Sequence, residues 1–292
     1  MNRMNPRLWG VLAAAVVASL ALTATAGAVT PSAVYDATPS PLPPNVASLG
    51  YEATSTSEFG DKVHLAGTNR VLDEITVTMS DWALKSDYPA VGTATSWQHP
   101  ITVNVYTTGL TLLATTTQNI TIPWRPAADP TCAGGTAWRA SDGLCYNGIA
   151  FDATFDMPNV TLPNDVIVGI AYNTQHYGST PLGVPGPYNS LNVGIPTGQT
   201  ASVGSDDNAN NVYWNTSYGP FYSDGGLGGT GAFREDTNWA PNGTVAFKIT
   251  ATPALVAPPT SKDQCKNDGW KAFNNPAFVN QGGCVSYVES NH

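Results

Sequence analysis

The sequence predicts a mainly β protein, an antiparallel β-sandwich of jelly-roll type followed by a small C-terminal α-helical hairpin. Three observations carry this. Apolar and polar residues alternate with a period of two in several short stretches between Ala47 and Pro253. Gly, Pro, Asn and Asp separate those stretches, and no helical period runs through them. After Thr260 the composition changes, and helix caps appear together with a separate pair of cysteines.

Asp73–Met79 (DEITVTM) and Ile101–Thr107 (ITVNVYT) alternate as half-buried strands do, and Leu113–Ile122 continues with Thr-rich β-formers. Phe151–Phe155 and Asp165–Tyr172 (DVIVGIAY) follow, the latter apolar enough for a central strand. Val212–Trp214 is a short strand, and Thr244–Thr250 completes a set of about ten. The expected organisation is a signal peptide at 1–28, a Pro/Ser-rich leader at 29–46, the sandwich at 47–254, a Pro linker at 255–260 and the hairpin at 261–292. Five prolines in residues 29–46 argue against regular structure there. In the tail, Ser261 caps a helix over Lys262–Phe273, and Asn280 caps a second one carrying Cys284, Val285 and Val288 on one face. This hairpin is expected to be a module dispensable for folding of the sandwich.

The first 28 residues have the layout of a secretory signal. Arg3 and Arg7 precede an apolar run from Leu8 to Leu22, and Ala26-Gly27-Ala28 offers small residues for cleavage after Ala28. The run is shorter than the roughly 20 apolar residues of a spanning helix, and no later segment could span a bilayer. The expected location is therefore extracellular, either secreted or associated with the cell surface. The chain of 292 residues carries a net charge of -9. Coulomb repulsion makes nucleic acid and anionic lipid poor partners.

The four cysteines form two local pairs, Cys132 with Cys145 and Cys265 with Cys284. In an oxidising compartment an even count points to disulfides, and of the three possible pairings the local one staples a long loop and a helix hairpin. No CxxC or HxxxH accompanies them to favour zinc.

The tail, SKDQCKNDGWKAF followed by NQGGCVSYV, resembles a short C-terminal element found on many secreted bacterial proteins. The body, with LGYEATSTSEFGDKVHLAGTNR and AYNTQHYGSTPLGVPGPYNSLNVG, is similar to a group of exported bacterial proteins, some of whose relatives end in a PEP-CTERM sorting tail. This sequence shows no Pro-Glu-Pro signal, late hydrophobic helix or basic end. The resemblance implies export and a β fold and assigns no activity.

No cofactor motif is present, and candidate sites are diffuse. His176 lies in YNTQHYG beside Tyr172 and Tyr177, but no GxSxG elbow supplies a nucleophile for it. Glu52, Glu58, Asp61, Asp73, Glu74, Asp224, Glu235 and Asp236 are candidates for the paired carboxylates of a glycoside hydrolase. Asp206 and Asp207 in SDDNANN are hard oxygen ligands of the kind Ca2+ takes; a solvated turn is the competing reading. Trp214, Tyr218, Tyr222 and Trp239 lie in or beside the Gly-rich loop 218–242, near Asp224. Flat rings beside amides and carboxylates suit a glycan platform; the competing reading is that the rings anchor the loop. The functional expectation is a secreted, non-enzymatic binding or surface module for a glycan or envelope component. The alternatives are a polysaccharide hydrolase and a structural envelope protein.

Overall fold

The computed structural model describes residues 30–87, 93–173, 190–217, 219–223, 229 and 231–291. The expected signal at 1–28 lies outside them, as do His176, Tyr177, Tyr218 and Asp224. The chain divides into two compact units, one spanning Val29–Ala254 and one containing Leu255–His292.

The larger unit is an antiparallel sandwich. Its strands are β1 (Ser32–Asp36), β2 (Ser48–Gly50), β3 (Thr56–His64), β4 (Val71–Asp81), β5 (Ser96–Tyr106), β6 (Leu112–Pro123) and β7 (Trp138–Arg139). They continue with β8 (Cys145–Tyr146), β9 (Ile149–Asp156), β10 (Asp165–Ala171), β11 (Leu191–Gly194), β12 (Asn211–Thr216), β13 (Arg234–Thr237) and β14 (Phe247–Thr252). The first sheet runs β1-β14-β4-β11-β2, with β9 on the other side of β4; the second runs β13-β12-β3-β10-β5-β6. Strands far apart in sequence are therefore neighbours, as the expected architecture requires. A single helical turn, α1 (Tyr51–Thr54), leads from β2 into β3.

Alternation builds the core. Ile75, Val77 and Met79 of β4 and Phe247, Ile249 and Ala251 of β14 belong to one buried cluster with Phe59 and Val63 of β3 and Val166, Val168 and Ile170 of β10. The run DVIVGIAY is the expected central strand, paired with β3 on one side and β5 on the other. Pro100 is tolerated in β5 because β10 pairs only with Thr102–Tyr106, so no ladder bond is lost where proline has no N–H.

Residues 29–46 are not a leader. Ser32–Asp36 form β1, an edge strand on β14, with Val34 and Tyr35 buried. Pro31 and Pro39 lie just outside the strand, so the proline density limits its length without preventing it.

Both disulfides are the local ones, Cys132–Cys145 and Cys265–Cys284. The first staples the β6–β9 connection beside the β7–β8 ribbon. In the smaller unit, the expected pair of α-helices is one α-helix and two 3-10 turns. The helix α2 (Gln281–Ser290) is capped by Asn280, whose side chain accepts from the Gly283 N–H at 2.9 Å. Lys262–Cys265 and Gly269–Ala272 make only short turns, separated by Asn267 and Asp268 in the left-handed region. The left-handed pair interrupts the helical ladder that the Ser261 cap would otherwise start. Cys265, Cys284 and Val288 form the small core, with Trp270, Phe273, Phe278 and Val285 around it.

Two outcomes follow. Starting the protein at Thr38 removes the buried Val34 and Tyr35 and leaves the β14 edge open. The lost burial is about 4 kcal/mol, so the melting temperature should fall by about 10 °C relative to a chain starting at Thr30. Cys284→Ser releases a 19-residue separation whose closure is worth about 3 kcal/mol. Hydrogen exchange should then lose protection over Gln281–Ser290 while β10 stays protected.

Candidate functional site

Of the expected ring residues, the described Trp214, Tyr222 and Trp239 do not form an exposed platform. Trp214, on β12, is 2 % exposed; its Nε1 donates to Thr56 Oγ1 at 2.6 Å, and its ring meets Trp239 edge-on at 5.0 Å. The Tyr222 hydroxyl accepts from the Thr216 N–H at 2.8 Å and donates to the Ala232 carbonyl at 3.0 Å, while the Arg234 guanidinium sits 3.4 Å above its ring. Trp239 is half-buried, and its Nε1 donates to Asp236 Oδ2 at 2.9 Å. These groups bolt the segments around β12 and β13 to the core, and their hydrogen-bonding atoms are committed to protein. Trp214→Ala should therefore destabilise the domain by about 3–5 kcal/mol, read by chemical denaturation; a platform ring would leave stability almost unchanged.

The expected acids are scattered. Glu235 takes a bond from Asn211 Nδ2, and Asp73 takes one from Thr250 Oγ1. Asp207 binds the Ser205 hydroxyl at the surface, whereas Asp206 turns inward to Thr244, so the two do not act together. Among the described residues no group of three or more His, Cys, Asp or Glu side chains is arranged to hold a metal. Arg70, beside an open concavity lined by His64 and Gly67, is committed to Leu65, Ala66 and Asn69 carbonyls and to Asn164. It clamps its own loop.

One interior pair stands out. Asp81 is fully buried and accepts from Trp97 Nε1 and the Ala83 N–H, both at 3.3 Å. Burial raises its carboxyl well above the usual range, and the negative charge of Glu52 adds to the rise, against Arg125. Glu52 is itself buried and accepts from the Ser190 N–H at 3.1 Å.

The outer face of the second sheet carries a more open arrangement. Register places Tyr213, Gly60, Gly169, Asn104 and Thr115 in one row across β12, β3, β10, β5 and β6. The two glycines leave the middle of the row without side chains. A Cβ on Gly60 would fall 1.7 Å from the Val168 carbonyl oxygen, and one on Gly169 would fall 2.2 Å from Glu58 Oε1. Glu58 can therefore lie across β10 and reach β5. Its Oε1 accepts from Asn104 Nδ2 at 2.9 Å and from the Tyr106 hydroxyl at 2.8 Å. Asn104 Oδ1 in turn accepts from Thr115 Oγ1 at 2.7 Å. Phe233 spans the glycine gap, with its ring 5.9 Å from Tyr213 and 5.5 Å from Tyr106.

Burial raises the Glu58 carboxyl, and the bonds from Asn104 and Tyr106 hold it back. The Tyr106 hydroxyl is raised by burial and then by the Glu58 charge, so it remains a donor. The result is a half-buried carboxylate with both of these hydrogen bonds on one oxygen, between three rings and a row of amide and hydroxyl groups. Glu58 was among the sequence candidates; Asn104, Tyr106, Tyr213 and Phe233 were not. The legible signal was the glycine inside the DVIVGIAY strand pattern, which marks a close approach.

No family model matches the chain, and comparison with curated proteins and with solved structures gives no match.

Proposed function

We propose that this protein is an extracellular, non-enzymatic recognition module that binds a polyhydroxylated ligand, a glycan or another envelope component, on the outer face of its second sheet. The observation that carries the reading is Glu58, fixed over Gly169 by Asn104 and Tyr106 with its second oxygen left for a ligand hydroxyl. Sugars offer hydroxyl pairs to carboxylates and amides and apolar ring faces to aromatic side chains, and the half-buried Tyr106 and Phe233 supply such faces. Two disulfides fit an oxidising compartment, and no helix among the described residues is long and apolar enough to cross a membrane. The net charge of -9 disfavours nucleic acid.

A hydrolase is the second reading, favoured by the Glu52–Asp81 pair. Burial raises the Asp81 carboxyl, and the charge of Glu52 adds to the rise; a carboxyl raised beside a second acid is the setting of a general acid. Its weakness is access, since Asp81 is fully buried and committed to two donors.

Retention of the purified protein on cell-wall polysaccharide and on a glycan array separates the two. Glu58→Gln keeps the size and the Tyr106 bond but removes the charge, and it should weaken retention at least tenfold with an unchanged melting temperature. Equal retention of wild type and Glu58→Gln refutes the proposed site. Release of reducing ends that is lost in Asp81→Asn establishes the hydrolase instead.

A further inference from the structure

The strand that presents Glu58 outward presents Asp61 inward, and this second acid has surroundings that Glu58 lacks. Asp61 is 2 % exposed. Its Oδ1 accepts from the Lys62 N–H at 2.7 Å, and its Oδ2 accepts from the Val245 N–H at 3.3 Å. Asp206 approaches the same place from the loop before β12. Its Oδ2 accepts from Thr244 Oγ1 at 2.6 Å and its Oδ1 from the Asn208 N–H at 3.0 Å. Both carboxylates are therefore tethered to adjacent residues, Thr244 and Val245, on the segment entering β14.

The loop is drawn in by backbone pairing. Asp36 bridges to Val203 and His64 bridges to Ser205, with Gly204 between them at φ +71°. A Cβ on Gly204 would fall 2.5 Å from the His64 carbonyl oxygen and 3.1 Å from the Tyr35 ring, so only glycine permits this approach. Tyr35 completes the enclosure. Its ring packs on Phe247 at 5.0 Å, it is fully buried, and its hydroxyl has no hydrogen-bond partner. The charges bearing most strongly on that hydroxyl are Asp61 and then Asp206.

A buried hydroxyl without a partner costs about 1–3 kcal/mol, and two carboxylates facing it repel each other. A hard cation answers both, because it takes carboxylate and neutral oxygens together. We propose that Asp61, Asp206 and the Tyr35 hydroxyl form a Ca2+ site that ties the 203–211 loop to β3 and β14. The ion enters from the side of Asp206, which is half-buried, and water fills the remaining positions. Two carboxylates give a weak site, in the roughly 0.1–1 mM range of extracellular calcium modules. The SDDNANN run contributes through Asp206 alone, since Asp207 is held by Ser205.

The competing occupant is a proton. Burial and then Asp206 raise the Asp61 carboxyl well above its usual value, while Lys62 and two backbone amides oppose the shift. Asp206 is raised by burial, with Asp207 adding and Thr244, Asn208 and Lys62 opposing. Asp36 also bears on Tyr35. In the unfolded chain these acids lose their protons near about pH 4, whereas the folded state holds them to higher pH. Without a cation, the contribution of these two acids to stability is therefore present below that pH and declines as pH rises.

The test uses the full secreted chain in metal-free buffer at pH 7, titrated with CaCl2 by calorimetry and melted with Ca2+ or EDTA. The expected result is one ion per chain and a melting temperature several degrees higher in Ca2+ than in EDTA. Asp206→Asn and Tyr35→Phe should each weaken binding at least fivefold while keeping a cooperative melt. No binding heat and no shift in the wild type overturns the site. A Ca2+ response unchanged in Asp206→Asn also overturns it, by placing the ion elsewhere.

Discussion

Side chains on a strand point alternately to its two faces, and this alternation along β3 governs both polar centres of the molecule. Phe59 and Val63 enter the sandwich core on the same face as Asp61; Glu58, Gly60 and Lys62 face outward. β3 sits inside the second sheet, paired with β10 and β12, so it cannot slip without moving both neighbours. A one-residue slip would carry Glu58 into the core and Phe59 into water. The register that buries the aromatic core therefore also sets which acid meets solvent and which is enclosed.

The two acids then diverge through their surroundings. Glu58 is served by side-chain donors, Asn104 and Tyr106, and keeps one oxygen toward the outer face. Asp61 is served by backbone N–H groups and faces a second acid. The chain has 21 acidic residues against 12 Lys and Arg, and several of those cations pair at the surface, such as Lys262 with Glu289 and Lys271 with Asp268. Few cations remain to neutralise interior acids. Desolvation must then be met by hydrogen bonds, by protons or by an ion from solution at the buried acids Glu52, Asp61, Asp81 and Asp236.

Much of the architecture was legible because period two is a local signal. Asp73–Met79, Ile101–Thr107 and Asp165–Tyr172 all lie on strands, two of them buried at the centre of a sheet. β3 was not legible, because TSEFGDKVH puts a charge at an inward position and a glycine at an outward one, so its alternation is masked by the residues with special roles. β1 was hidden by flanking prolines that bound it. The loop rings misled for a different reason. Composition shows that Trp214 and Tyr222 are aromatic and lie near polar residues, but only the fold shows that Thr56 of β3 and Arg234 of β13 approach them. The Glu58 cluster joins β3 and β12 to the β5–β6 hairpin, and no window of sequence contains it.

The edges of the sandwich are where a weakly charged chain is open to pairing with other chains. Charged residues are only 11 % of the sequence, too few to blunt every edge. Three sheet ends are instead short, with β1, β2 and β13 of 5, 3 and 4 residues. The long edge is β6, with 12 residues. It lies beside β9, the open strand of the other sheet, and Gln118 Nε2 donates to the Asp156 carbonyl at 3.2 Å. One edge thereby covers the other. Elsewhere, solvent meets cross-strand hydroxyl pairs such as Thr102 with Thr117 at 2.7 Å and Thr76 with Thr154 at 2.9 Å. A face built of hydroxyls and amides attracts little by charge and discriminates by geometry, which is the surface chemistry that the proposed binding of a hydroxyl-rich ligand would use.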